Sequence, residues 1–229
     1  MVVFRKRTKM WVRPNTSDDF IVDEAIDYNN IFLDVKDNDV FMDIGSNIGS
    51  TISLAKSFNH TITCIGYEPE EENFKVLKLN TNHYNKCKIK KCAIGKKNGM
   101  TKFFTEKGTF KAKHSTKPRQ FLQGFEEQIV KVKSFKNELS KYKPSLLKID
   151  IEGGEYDLSL QKVPLYIKIF AIEFHLINDN WKDMFKLYNI ISDQFDFKTG
   201  EIPKVNSLNW FKDNFKSDDA FMVIFYRNN

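Results

Sequence analysis

From residue 40 onwards the chain alternates short apolar runs with stretches of helical periodicity. Residues 40–44 (VFMDI) form a continuous apolar run with one Asp near its end, which reads as a buried central strand. A helix is predicted over 48–58, and a β-branched strand over 61–67 (TITCIGY). A second helix is expected over 70–84, with Phe74, Val76 and Leu77 on its apolar side, followed by a third strand over 87–94. Asn98-Gly99 reads as a turn, and 100–105 with 129–132 as a pair of added strands around a polar loop. Buried strands follow at 145–151 (SLLKIDI), closed by Gly153-Gly154, and at 167–174 (IKIFAIEF). Trp181, Met184, Phe185, Tyr188 and Ile191 recur at spacings of three and four, marking an amphipathic helix over 180–195. Residues 220–226 (AFMVIFY) make a closing strand. Short apolar runs alternating with helices imply βα units around a mostly parallel sheet. Residues 1–38 read as a leader of short helices and loops packed on a single domain spanning 39–229.

Composition narrows the class. The 229 residues, 41% hydrophobic and 14% aromatic, are enough for one large domain with a real core. No apolar stretch is long enough to span a bilayer, and the opening MVVFRKRTKMW has no apolar segment of the signal-peptide kind. Cys64, Cys87 and Cys92 form no CxxC pair and read as free thiols of a reducing compartment, so a cytoplasmic protein is expected. The net charge is +6, yet only five of the 36 basic residues are Arg, the side chain that nucleic-acid readers favour for bidentate contacts.

The strand-to-helix turn Asp43-Ile44-Gly45-Ser46-Asn47-Ile48-Gly49 carries the first chemistry. Glycines let the backbone turn tightly and let a ligand approach it. The next strand ends in Glu68, 25 residues beyond Asp43, the order and spacing of a carboxylate that binds ribose hydroxyls. Asp43 would repel a pyrophosphate but suits a cofactor with a cationic amino-acid end, which points to S-adenosylmethionine.

The runs VFMDIGSNIGSTISLAK, GYEPEEENFKVLKLNTNHYN, KCAIGKKNG and LLKIDIEGGEYDLSL, with the leader segment VRPNTSDDF, resemble the FkbM family of S-adenosylmethionine-dependent methyltransferases. The resemblance covers roughly residues 11–177. It implies a Rossmann-like class I methyltransferase, α/β, with a mostly parallel seven-stranded sheet and helices on both faces. It also implies that Asp43, Gly45, Ser46, Asn47 and Gly49 line the methionine end of the cofactor. Glu68 would take the ribose hydroxyls, Pro69 would lie beside the adenosine, and Cys92-Ala93-Ile94 would flank the adenine. Arg13, Ser17 and Asp18 would fold over the cofactor.

Two strand ends carry polar groups suited to the reaction. Lys148, Asp150 and Glu152 alternate to one side if the strand stays extended, and Glu173 and His175 do so on the following strand. Ligands in open α/β sheets bind beyond such carboxyl ends. Methyl transfer to oxygen needs alignment of donor and acceptor and removal of the hydroxyl proton. Asp150, at the strand end where it would touch both the cofactor's methyl and the acceptor, with His175 as general base and Lys148, Glu152 and Glu173 around it, is the expected catalytic set. Asp150, Glu173 and His175 could instead converge on a divalent metal. Trp181, Trp210 and Phe211 are candidate walls of an acceptor pocket, Trp181 with core packing as the competing role.

The expected activity is O-methylation of a sugar, glycan or other small molecule. The alternatives are an RNA ribose 2′-O-methyltransferase and a non-catalytic cofactor-binding protein of the same fold. Residues 86–119 hold twelve basic residues against Glu106 alone, a net +11 that leaves the rest of the chain at −5. If that segment covers the acceptor site, an anionic or nucleotide-linked acceptor is expected, with nucleic acid a weaker candidate and no membrane partner.

Overall fold

The computed structural model describes residues 2–106, 114–115, 125–197, 205 and 207–227. Seven strands form the central sheet: β1 (Val40–Ile44), β2 (Thr63–Tyr67), β3 (Cys87–Lys90), β4 (Leu146–Ile149), β5 (Ile169–His175), β6 (Asp196–Phe197) and β7 (Ala220–Tyr226). Their spatial order is β6-β7-β5-β4-β1-β2-β3. The pairs from β5 to β3 are all parallel, while β7 runs antiparallel to β5 and β6. This is the mostly parallel seven-stranded sheet expected from the sequence.

Strand alternation sorts the core into two layers. Met42, Ile44, Leu147, Ile149, Phe170, Ile172 and Phe225 point to one face. There they pack with Phe135 and Leu139 of α5 (Phe135–Tyr142), Met184, Tyr188 and Ile191 of α6 (Trp181–Ser192), and Phe211 of α7 (Leu208–Asn214). Each such side chain, fully buried, stabilises the fold by about 1.5–3 kcal/mol. Phe41, Cys64, Leu146, Ala171 and Ile224 point to the other face. Ile52 and Ala55 of α3 (Ser50–Phe58), Leu77 of α4 (Glu71–Thr81), and Tyr28, Ile31 and Phe32 of the leader cover them. The leader contributes α1 (Asp18–Glu24), a 3-10 turn at Ala25–Tyr28 and α2 (Asn29–Phe32). It also opens with an unexpected hairpin, Val3–Arg5 paired with Met10–Val12.

The third predicted strand divides in two. β3 ends at Lys90, Lys91 and Cys92 turn, and Ala93–Gly95 joins a second sheet with Gly99–Glu106 and Phe125–Ser134. Continuous β-propensity conceals the break because Cys92 N–H bonds back to the Lys90 carbonyl, bending the chain without Gly or Pro. The added strands are antiparallel and extend beyond the predicted limits at both ends of the polar loop. No helix among the described residues is long and apolar enough to cross a membrane.

Candidate functional site

Register brings the charged groups together. β1 and β4 align so that Asp43 sits opposite Lys148. Alternation along β5 puts Glu173 and His175 on the same face as Ala171, the neighbour of Lys148. The apolar inner layer of that face therefore gives way, at the carboxyl ends of the strands, to a cluster of ionisable side chains.

Lys148 is 3% exposed and lies 3.4 Å from Asp43 Oδ1 and 3.2 Å from Asp150 Oδ2. Burial alone would lower its pKa, but Asp150 and Asp43 hold it well above the usual lysine range. Its ammonium also stands 5.2 Å above the Tyr28 ring. Asp43 is fully buried, and burial raises its pKa to about 6 against the lowering effect of Lys148. The cationic partner of Asp43 is thus a lysine of the chain itself. That corrects the expectation that its charge selects a cationic cofactor end.

β4 ends at Ile149, so Asp150 and Glu152 leave the strand rather than extend it. Glu152 adopts a left-handed backbone, φ 54°, which turns its side chain back to the same cavity as Asp150. Burial raises the Asp150 pKa and Lys148 lowers it, with a net shift downward, so this carboxylate stays ionised. Glu173 is pushed up to about 8 by burial and by Asp150.

His175 is 4% exposed. Its Nδ1 lies 3.3 Å from Glu155 Oε1, and its Nε2 lies 3.5 Å from Glu152 Oε2, 3.9 Å from Asp150 Oδ1 and 3.9 Å from Glu173 Oε2. Burial would lower the imidazole pKa, but Glu152 and Glu155 raise it to about 10. Those carboxylates favour the protonated ring in the ligand-free protein, so Nε2 offers a lone pair to a proton or to a cation only after its own proton leaves. Glu155 is not among the residues that the sequence marks for the site. It is 1% exposed and accepts the N–H groups of Gly153 and His175, each at 2.9 Å. The signal was present as the last residue of the KIDIEGGE run.

The glycine turn forms the second half of the site. Gly45 N–H and Ser46 N–H both donate to the Tyr67 carbonyl. Gly45 has φ 84°, and a Cβ there would fall 1.7 Å from the Asp150 carbonyl oxygen. Glu68 accepts from Asn47 N at 2.9 Å and from Glu70 N at 2.8 Å. Burial raises its pKa to about 8, against the lowering effect of those two N–H groups. A cleft here is lined by Gly45, Asn47, Glu68, Pro69, Asn73, Cys92, Ala93, Ile94, Asp150 and Glu152, among others. Most of the sequence-predicted cofactor residues therefore share one cleft.

Three do not line it. Asp43 lies beneath it, and Ser46 faces the second cavity, where its hydroxyl donates to the Asp43 carbonyl and accepts from Tyr67 N. Gly49 starts α3 with φ 88° and packs against Leu77. Arg13, Ser17 and Asp18 line neither cavity, because Arg13 pairs with Asp18 and bonds Asn73 Oδ1 at 2.6 Å.

The second cavity adjoins the cleft and shares Gly45, Asn47, Asp150 and Glu152 with it. Seven acidic residues line it: Glu24, Asp27, Asp150, Glu152, Glu173, Asp218 and Asp219. Lys148 is the one Lys or Arg in that lining. Its aromatic walls are Phe20 and Tyr28 of the leader. Trp181 and Phe211 are buried in the core instead, and Trp210 packs against it. A helical pattern cannot separate these alternatives, since an apolar face packs wherever the nearest apolar surface lies.

Seven of the twelve basic residues of the 86–119 segment are among the described residues. Lys90 pairs with Glu138, Lys91 with Glu71 and Lys102 with Glu127. Lys107, Lys111, Lys113, Lys117 and Arg119 lie outside the described residues.

A family profile described as the methyltransferase FkbM domain matches residues 43–197. Among solved structures, a methyltransferase FkbM from Methylobacillus flagellatus KT aligns at 15% identity and a TM-score of 0.49. The alignment covers 85% of this chain but 45% of that one, so the chain spans under half of its length. A fibrillarin/Nop5p complex aligns at 14% identity and a TM-score of 0.45, covering 85% of this chain and 75% of the other. No curated protein matches.

Proposed function

Because the chain belongs to the FkbM methyltransferase family, we propose that it uses S-adenosylmethionine to methylate a hydroxyl of a sugar, glycan or other small molecule. The observation that carries this reading is the junction of the glycine-turn cleft with the acidic cavity at Gly45, Asn47, Asp150 and Glu152.

The residues fit the cofactor. Glu68 presents a buried carboxylate where two ribose hydroxyls would bind, and Pro69, Ala93 and Ile94 offer apolar surface for the adenine. The bare backbone of Gly45 permits close approach, and Asn47 Oδ1 is buried without a hydrogen-bond partner, ready for a donor. When bound, the cofactor supplies an electrophilic methyl group on a sulfonium. Asp150 stands at the junction, ionised and oriented by Lys148, where it can align an acceptor hydroxyl and take its proton. Lys148 is a positioning residue, fixed in turn by Asp43. Glu152, Glu173 and His175 line the acceptor side.

The acidic lining disfavours an anionic acceptor and supports a neutral polyhydroxylated one. It also weakens the RNA reading, since phosphates would meet seven carboxyl-bearing side chains, and Lys90, Lys91 and Lys102 of the basic segment already pair with carboxylates.

Isothermal titration with S-adenosylmethionine is the direct test. Micromolar binding is expected, with Glu68→Ala weakening it at least tenfold. An absence of binding at high micromolar cofactor would favour a non-catalytic protein. Mass spectrometry of glycans and extracts incubated with labelled donor should then show a gain of one methylene. Asp150→Asn should lower turnover on that acceptor roughly a hundredfold, the low end of a proton-transfer contribution.

A further inference from the structure

The acidic cavity contains more negative charge than its own cations balance. Lys148 is committed to Asp43 and to Asp150 Oδ2, leaving Asp150 Oδ1 on the side of His175. His175 is held by its other nitrogen: Nδ1 faces the fully buried Glu155, whose carboxylate also takes the His175 backbone N–H. A carboxylate behind the imidazole is the arrangement that fixes a metal-binding histidine, since it sets the tautomer and aims the outer nitrogen. That outer nitrogen, Nε2, belongs to a ring only 4% exposed. It points among carboxylate oxygens, and the nearest is 3.5 Å away. One donor atom each of Asp150, Glu173 and His175 lie within 4.8 Å of one another.

We propose that Asp150, Glu173 and His175 bind a divalent cation at the acceptor side of the site. The geometry suits an octahedral ion. Adjacent ligands about 2.1 Å from such an ion stand roughly 3 Å apart. The His175 Nε2 separations from Asp150 and Glu173 are both 3.9 Å, an excess that small side-chain rotations close. One imidazole with two carboxylates matches Mn2+ or Mg2+ better than a soft, thiolate-seeking metal. The ion would take the place of the protons held by His175 Nε2 and the Glu173 carboxyl, which pass to solvent, and the three ligands would occupy one side of it and leave the cavity side for water or an acceptor hydroxyl. There the cation would lower the pKa of the hydroxyl and neutralise the cluster. The cation's role in the reaction rests on the methyl-transfer reading, whereas its binding does not.

The test uses Mn2+ on the chelator-stripped full chain, followed by the loss of the free-ion signal in electron paramagnetic resonance. One saturable Mn2+ per chain is expected. Glu173→Gln, which keeps the side-chain shape, should weaken binding at least tenfold, and so should His175→Gln. Asp218→Asn, a neutralised acid of the same cavity, should change it less than threefold. No saturable binding by the unaltered chain, or Glu173→Gln binding within threefold of it, overturns the site. Cofactor titration of the stripped protein separates the two ideas. Cofactor binding and full turnover without metal would remove the cation's role in the reaction and keep the methyltransferase reading, while Mn2+ binding without cofactor binding would keep the cation site and overturn that reading.

Discussion

At the residue scale, Glu68 has the clearest titration consequence. The spacing of the sequence placed it correctly at the end of β2 beside the glycine turn, because a carboxylate at that strand end needs no tertiary information to be predicted. Its protonation state was not legible, since it depends on burial. Burial raises the carboxyl pKa to about 8 against the Glu70 and Asn47 N–H groups. A raised carboxyl pKa means that the protonated form is favoured in the ligand-free fold below pH 8. If the ribose hydroxyls donate to the carboxylate, cofactor affinity should rise as pH increases towards 8, by up to tenfold per unit, and level off above it. Calorimetric titrations from pH 6.5 to 9 check this, and an affinity that stays flat across the range removes Glu68 from the ribose contact. The same group should make the ligand-free protein progressively less stable between its ordinary pKa near 4.5 and about 8, because the unfolded chain releases the proton first. Asp43 shows the opposite kind of legibility. Its position was plain in the sequence, but its partner was not, because Lys148 lies 105 residues away and meets it only through the β1–β4 register.

At the element scale, the two glycines of the turn look alike in sequence and differ in the fold. Gly45 is pressed against the Asp150 backbone, where an added Cβ would lie 1.7 Å from a carbonyl oxygen that cannot yield. At Gly49, which starts α3 with φ 88°, an added Cβ would meet the flexible Leu77 Cδ1 at 2.8 Å. Gly45→Ala should therefore open the contact between the turn and the end of β4, abolishing cofactor binding and destabilising the sheet. Gly49→Ala should lower stability by about 1–3 kcal/mol, from left-handed strain and overpacking. It should leave the cofactor dissociation constant within threefold when measured well below the melting transition. Melting curves beside calorimetry distinguish the two, and a Gly49→Ala protein that melts normally but loses the cofactor would return that glycine to the binding surface. Periodicity served best where an element buries one face along its whole length, as in α6. It failed at Lys91-Cys92, where one run of strand-like residues serves two sheets and a backbone hydrogen bond makes the corner.

At the scale of the whole molecule, the leader completes the site. Residues 1–38 gave little periodic signal, and beside the apolar packing of Tyr28, Ile31 and Phe32 two asparagines of α4 bond them to the body of the fold. Asn80 bonds the backbone of Trp11 in both directions, accepting at 2.7 Å and donating at 3.0 Å, and Asn73 accepts from Arg13. Asp18 is fully buried and takes the Arg13 backbone N–H as well as its guanidinium Nε and Nη2. This arrangement holds Phe20, Glu24 and Tyr28 over the cavity beside Lys148 and Asp150. Removing one partner of a buried, multiply hydrogen-bonded pair costs about 3 kcal/mol. In a domain of this size that corresponds to a fall of roughly 10 °C in melting temperature. Asp18→Ala should therefore raise hydrogen exchange across residues 2–32 while β1, β2 and β4 keep their protection. Loss of the Phe20 and Tyr28 wall should weaken acceptor binding more than cofactor binding, because Glu68 and Pro69 belong to the body of the sheet. A variant that melts within 2 °C of the unaltered chain, with the leader still protected, would show that hydrophobic packing of Tyr28, Ile31 and Phe32 holds the leader without the Arg13–Asp18 clamp.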